Sequence, residues 1–166
     1  MKKHLILFLT LLSPLLAHAQ MDTGQSRSTL EDIQGFYVKV DVEGSVGLVS
    51  DEKLNVSAMN QRVKQRLRDA GLNVLEPTEV VDQPREPYLY LHVNMMELEQ
   101  GLVPFAINMQ FFQRVELPRK KRESLIACTW DTGLVGLVSY DNLDVIAESA
   151  VGSIDLFIDD FRQVNP

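Results

Sequence analysis

From Pro87 to Leu117 the chain alternates apolar and polar residues with a period of two, and this restricts the fold more than any other feature. Leu89, Leu91, Val93 and Met95 project to one side, Tyr88, Tyr90, His92 and Asn94 to the other. Phe105, Ile107, Met109 and Phe111 repeat the pattern against Ala106, Asn108, Gln110 and Phe112. Successive side chains of a strand point to opposite faces, so the pattern predicts two adjacent antiparallel strands with one buried face and one wet face. Gly101 and Pro104 supply turn chemistry between them. A sheet with one apolar face must be covered, and the other segments are read for what covers it.

Phe36, Val38, Val40 and Val42 alternate with Tyr37, Lys39 and Asp41, which predicts a first, half-buried strand. A glycine-punctuated loop follows from Gly44 to Ser50. Ser57 can cap a helix running to about Ala70, whose stripe is Val56, Met59, Val63, Leu67 and Ala70. Gly71 suits the left-handed position that closes a helix. Leu72 to Leu75 reads as a short strand, and the prolines at 77, 84 and 87 mark an irregular connector. Beyond the hairpin and a turn over 118–123, Leu125 to Thr132 reads as a strand with Ile126, Cys128 and Trp130 on one face. Gly133 and Gly136 are expected to end it in a loop, after which Asp141 or Asn142 caps a last helix. Leu143, Ile146, Ala150, Ile154, Phe157 and Phe161 form the apolar stripe of that helix. The element order is β-α-β-β-β-β-α. The fold expected is an α+β two-layer sandwich, a mainly antiparallel sheet of four or five strands with two amphipathic helices on one face.

The first residues carry a different signal. Lys2 and Lys3 precede an apolar run from Leu5 to Leu16, and Ala17-His18-Ala19 follows. A basic start, a short apolar core and an Ala-x-Ala ending describe a secretory signal peptide over 1–19, with the mature chain starting at Gln20. The run is shorter than the roughly 20 residues of a membrane span, and no later stretch is long and apolar enough to cross a bilayer. Periplasm, or secretion, is the expected destination. Residues 20–34 are polar and aperiodic and read as a flexible lead-in, leaving 35–166 as a single α+β domain. Without Lys2 and Lys3, 14 basic residues face 23 acidic ones, a net charge of −9 that disfavours nucleic acid and anionic membrane surfaces. Cys128 is the only cysteine, so no intrachain disulfide is available, and it is expected to be buried and inert.

Three segments together resemble a group of small exported bacterial proteins of unknown function. They are Pro87-Tyr88-Leu89-Tyr90-Leu91-His92-Val93-Asn94, Thr129-Trp130-Asp131-Thr132-Gly133-Leu134-Val135-Gly136, and Phe157-Ile158-Asp159-Asp160-Phe161 ahead of Val164-Asn165-Pro166. The group has Asn-Asp-Tyr where this chain has Asp159-Asp160-Phe161. The resemblance implies export and brings no activity or catalytic residue. At the level of fold the pattern is also similar to small periplasmic α/β modules of envelope-assembly proteins, an analogy that carries no function.

Few residues point to chemistry. After signal removal His92 is the one histidine, too few with one cysteine for a four-ligand zinc site. No zinc-protease, Walker A or nucleophile-elbow motif occurs, and nothing points to a cofactor. Glu97 and Glu99 near a turn read as solvated carboxylates. Val46-Gly47-Leu48-Val49-Ser50 recurs as Val135-Gly136-Leu137-Val138-Ser139, readable as two similar connections or as paired loops that grip a partner. Arg119 to Arg122 is the one basic cluster and reads as a solvated turn. The wet face holds Tyr88, Tyr90, His92, Phe112 and Arg114, residue types enriched at interfaces. The expected function is therefore a non-enzymatic binding or envelope-associated module whose partner is a protein or envelope component. A hydrolase-like enzyme with a site around His92 is the alternative.

Overall fold

The computed structural model describes residues 24–76, 86–119 and 124–166. The expected signal peptide, most of the proline-bearing connector and the cluster at Lys120–Arg122 lie outside the described residues. The fold is α+β, built on one four-stranded sheet in the order β1 (Tyr37–Glu43), β2 (Tyr88–Met95), β3 (Leu102–Glu116), β4 (Ser124–Ser139). The sheet is mixed where a mainly antiparallel one was expected, because β1 and β2 run parallel. The 14-residue helix α3 (Val56–Asp69) between them explains the direction. A crossover of that length returns the chain to the end of the sheet where it began, so the next strand runs the same way. From β2 onward the strands form the expected antiparallel meander. Gln100 and Gly101 turn the first hairpin with positive φ angles of 73° and 70°.

Helix α3 starts earlier than expected. Asn55, not Ser57, is its cap, accepting from the Ala58 N–H at 2.9 Å. At the other end Gly71, with φ of 86°, donates to the Arg68 carbonyl and Leu72 donates to the Leu67 carbonyl. That paired closure needs a left-handed residue at the glycine. The expected strand at Leu72–Leu75 shrinks to a single parallel bridge between Val74 and Phe36.

The apolar stripe beginning at Leu143 is divided between α4 (Asp144–Gly152) and α5 (Ile154–Val164), and the Ser153 hydroxyl bonds the Ala150 carbonyl at the break. The apolar spacing runs through the break uninterrupted. Ile146, Ala150, Ile154 and Phe157 are all fully buried, in one core with Met59, Val63 and Leu67 of α3 and the inward faces of β2 and β3.

Two differences concern β4. It continues through Gly133 and Gly136 instead of ending there. At Gly136 the reason is packing: the Phe105 ring lies where a Cβ would stand, so the glycine fits under the ring rather than breaking the strand. The strand also carries a bulge, since Phe111 pairs with Trp130 while Phe112 pairs with Cys128. The extra residue reverses the side-chain alternation. Trp130 turns into the core, and Ile126 and Cys128 face out with Phe112 instead of sharing the face of Trp130. Cys128 is thus exposed, not buried.

The lead-in is docked from Gly24 onward. Residues Gly24–Ser28 form the short helix α1 and Leu30 is fully buried. Arg27 Nε donates to Asp160 at 2.7 Å, and Asn165 Nδ2 donates to the Leu30 carbonyl at 2.9 Å. Ordered structure therefore begins ahead of residue 35.

Arginines tie α3 to the last helices. Arg62 pairs with Glu148 of α4 and Arg66 with Asp155 of α5, both at the surface. The Arg62 guanidinium holds the Glu148 carboxyl below its ordinary value, and Arg66 does the same to Asp155. A depressed folded pKa means the unfolded chain binds more protons, so this stabilisation is complete above the ordinary values of 4.5 and 3.8 and is lost as pH falls through the folded ones. Arg66→Gln is expected to lower the urea midpoint at neutral pH and to differ less from the native chain as pH drops below about 4. A gap that widens on acidification would contradict the pairing.

Candidate interaction face

The face of the sheet turned away from the core is built from the residues that alternation sends outward. Register sets them in rows across the strands. Tyr37, Tyr88, Phe112 and Cys128 form the first, and Lys39, Tyr90, Gln110 and Asp131 the second. Asp41, His92, Asn108 and Gly133 form the third, and Glu43, Asn94, Ala106 and Val135 the fourth.

Tyr88 and Phe112 stack with ring centroids 4.9 Å apart, and Tyr90 and His92 stack at 5.7 Å. Lys39 Nζ lies 5.1 Å over the Tyr90 ring and 2.7 Å from Asp41. Burial would raise the Asp41 carboxyl, but hydrogen bonds from Lys39 and Tyr90 outweigh it and hold the group below its ordinary value. The Lys39 ammonium is raised by its bond to Asp41. Partial burial, reinforced by Asp41, raises the Tyr90 phenol, which therefore keeps its proton as a donor. The cluster presents aromatic surface whose polar groups are already oriented.

Of the residues expected here, Tyr88, Tyr90, His92 and Phe112 come together, all half-buried. Arg114 lies one step further along β3, exposed and donating to Ser124 Oγ at 2.8 Å. Lys39 and Asp41 complete the cluster and were missed, because their place beside β2 follows from the parallel pairing, which alternation within β1 does not reveal. The β4 residues of the face were missed because the bulge shifts the parity on which alternation is read.

His92 Nε2 lies 3.4 Å from Glu43 and makes no hydrogen bond there. A covalent hydrolytic mechanism would need a nucleophilic side chain beside that ring. The one thiol, Cys128, sits two rows away across β3 and has its pKa raised by partial burial and by Asp131, so it is a thiol rather than a thiolate at neutral pH. Among the described residues no three His, Cys, Asp or Glu side chains gather to hold a metal, and no helix is long and apolar enough to cross a membrane.

The two Val-Gly-Leu-Val-Ser segments do not form a pair of loops. The first contains the helical turn α2 (Val46–Val49), with Leu48 buried, and the second is the end of β4. The chain matches no protein-family model and no curated protein.

Proposed function

We propose that this protein is an exported, non-enzymatic binding module that receives a protein of the cell envelope on the outer face of its sheet. The observation that carries the reading is an asymmetry. Helices α3, α4 and α5 bury their apolar residues on the side where the sheet's apolar residues are buried, while the opposite face holds two aromatic stacks and a lysine–carboxylate–tyrosine cluster. The side chains of the Lys39, Tyr88, Tyr90, His92 and Phe112 cluster are half-buried or exposed among the described residues, and pre-oriented aromatic and polar groups lose little entropy on binding. The export pattern of residues 1–19 supports a partner among envelope proteins.

A photoreactive residue at Gln110, central on the face, is expected to capture a defined partner in cells. The same probe at Asp159, exposed on α5, is expected to capture none. Equal capture from both positions would remove the outer face as the binding surface.

A further inference from the structure

Among the described residues strand β4 is the last in the sheet order and pairs only with β3, so every second residue along its other side presents an N–H and C=O that no described strand pairs. Proteins normally blunt such edges with charge, proline or cover. The opposite edge follows this rule, since β1 carries Lys39, Asp41 and Glu43 and is bridged at its start by Val74. The first half of β4 follows it too: the bulge bends it, and the Thr29 hydroxyl bonds the Thr129 carbonyl at 3.2 Å. Residues 132–139 do not. They read Thr-Gly-Leu-Val-Gly-Leu-Val-Ser, without charge or proline, and they expose Val135 and Leu137 at 62% and 58%. On the same face a cleft of about 260 Å³ lies among Asn108, Gln110, Asp131, Gly133 and Val135.

We propose that this edge pairs with β4 of a second copy of the chain, antiparallel about a twofold axis through Val135. The axis stands perpendicular to the sheet, so each face continues into the same face of the other copy. Residues whose numbers total 270 then stand opposite one another. Val135 meets Val135, and the exposed Leu137 of each copy falls opposite Gly133 and its cleft in the other. On the inner face the same register sets Leu134 opposite Gly136. The Phe105 ring already fills the space above Gly136, so the fit lies on the outer face, where Leu137 facing the cleft beside Gly133 is self-complementarity that a foreign strand would match only by chance. Charge permits the same occupant at this stretch alone. The chain has a net charge of −7, so copies repel over most of their surface, and this uncharged stretch is where two can approach. Asp131, the nearest carboxylate on β4, falls opposite Ser139 and not opposite itself.

An interface of one short strand from each copy buries less than the roughly 1,200 Å² of stable complexes, so association in the micromolar range or weaker is expected. Sedimentation equilibrium over a concentration series is the test. The native chain is expected to shift reversibly from monomer to dimer. Val135→Lys, which sets two ammonium groups together on the axis, is expected to weaken dimerisation at least tenfold with an unchanged melting temperature. Should that variant fail to fold, Leu137→Thr, which keeps strand propensity and loses the contact with Gly133, is expected to weaken it as well. Tyr90→Ser/Phe112→Ser, two strands or one strand away from the edge, is expected to leave the dimer intact. A native chain that stays monomeric to about 1 mM, or a folded variant of Val135 or Leu137 that dimerises like the native chain, would overturn the proposal.

Discussion

Phe157→Ala is expected to lower the urea midpoint more than any other single truncation in the chain. The ring is fully buried and meets four others: Trp130 at 5.1 Å, Phe36 at 5.4 Å, Phe111 at 5.5 Å and Phe161 at 5.9 Å. Those partners belong to the segment entering β1, to β3, to β4 and to α5 itself. One side chain therefore joins the sheet to the helix that covers it. Truncating a buried phenylalanine removes its transfer free energy and leaves a cavity, together about 3–5 kcal/mol. Small domains are stable by about 5–15 kcal/mol in total, so a third or more of the margin disappears. The denaturant slope should be unchanged, since the surface exposed on unfolding is nearly the same. A midpoint close to that of the native chain would mean that the aromatic cluster is not the core.

Asp160→Ala is expected to be nearly as damaging by a different mechanism. Among the described residues Asp160 is the buried carboxylate. One oxygen accepts from Arg27 Nε at 2.7 Å and the other from Trp130 Nε1 at 2.9 Å. Removing it strands a buried indole N–H and takes from a largely covered guanidinium the carboxylate that Nε donates to. Breaking a buried pair from one side costs about 3–5 kcal/mol, and the partial exposure of Arg27 puts the expectation at the lower end. Because Arg27 belongs to α1, the variant should also loosen residues 24–30. Limited proteolysis is expected to cut there first, while the rest of the domain resists. Asp160→Asn keeps an acceptor for the indole and should fall between the two in stability. If Asp160→Ala matches the native chain in both assays, α1 is not held by this carboxylate.

The readable parts of the fold are those in which one period persists over a whole element. Leu89 to Met95 and Phe105 to Phe111 kept their faces, as did the stripe from Ile146 to Phe157, because burial on one side imposes the repeat directly on the sequence. The unread parts depend on partners far along the chain. Gly136 looks like a strand breaker until Phe105, 31 positions earlier, is known to lie over it. The bulge between Phe111 and Phe112 moves Trp130 inward and Cys128 outward without any local mark. Leu30 sits in a stretch too short and polar to show a period, and its burial follows from contacts with the last helix. Asp160 reads as an ordinary exposed carboxylate among acidic neighbours, since its two donors lie 133 and 30 residues away.

The candidate face divides the same way. The hairpin pattern alone placed Tyr88, Tyr90, His92 and Phe112 on one side, since all four lie on strands whose register one turn determines. Lys39 and Asp41 joined them only through the parallel pairing of β1 with β2, which depends on a crossover the alternation does not encode.

Whether the outer face is the working surface is tested most directly by Tyr90→Ser/Phe112→Ser, carrying the crosslinker at Gln110. The two side chains are half-buried and their cross-strand contacts are worth about 0.2–1 kcal/mol each, so the variant should stay folded with only a modest fall in stability. The partner captured by the native face should no longer be recovered. A folded double variant that captures the same partner as efficiently as the native chain would contradict the account.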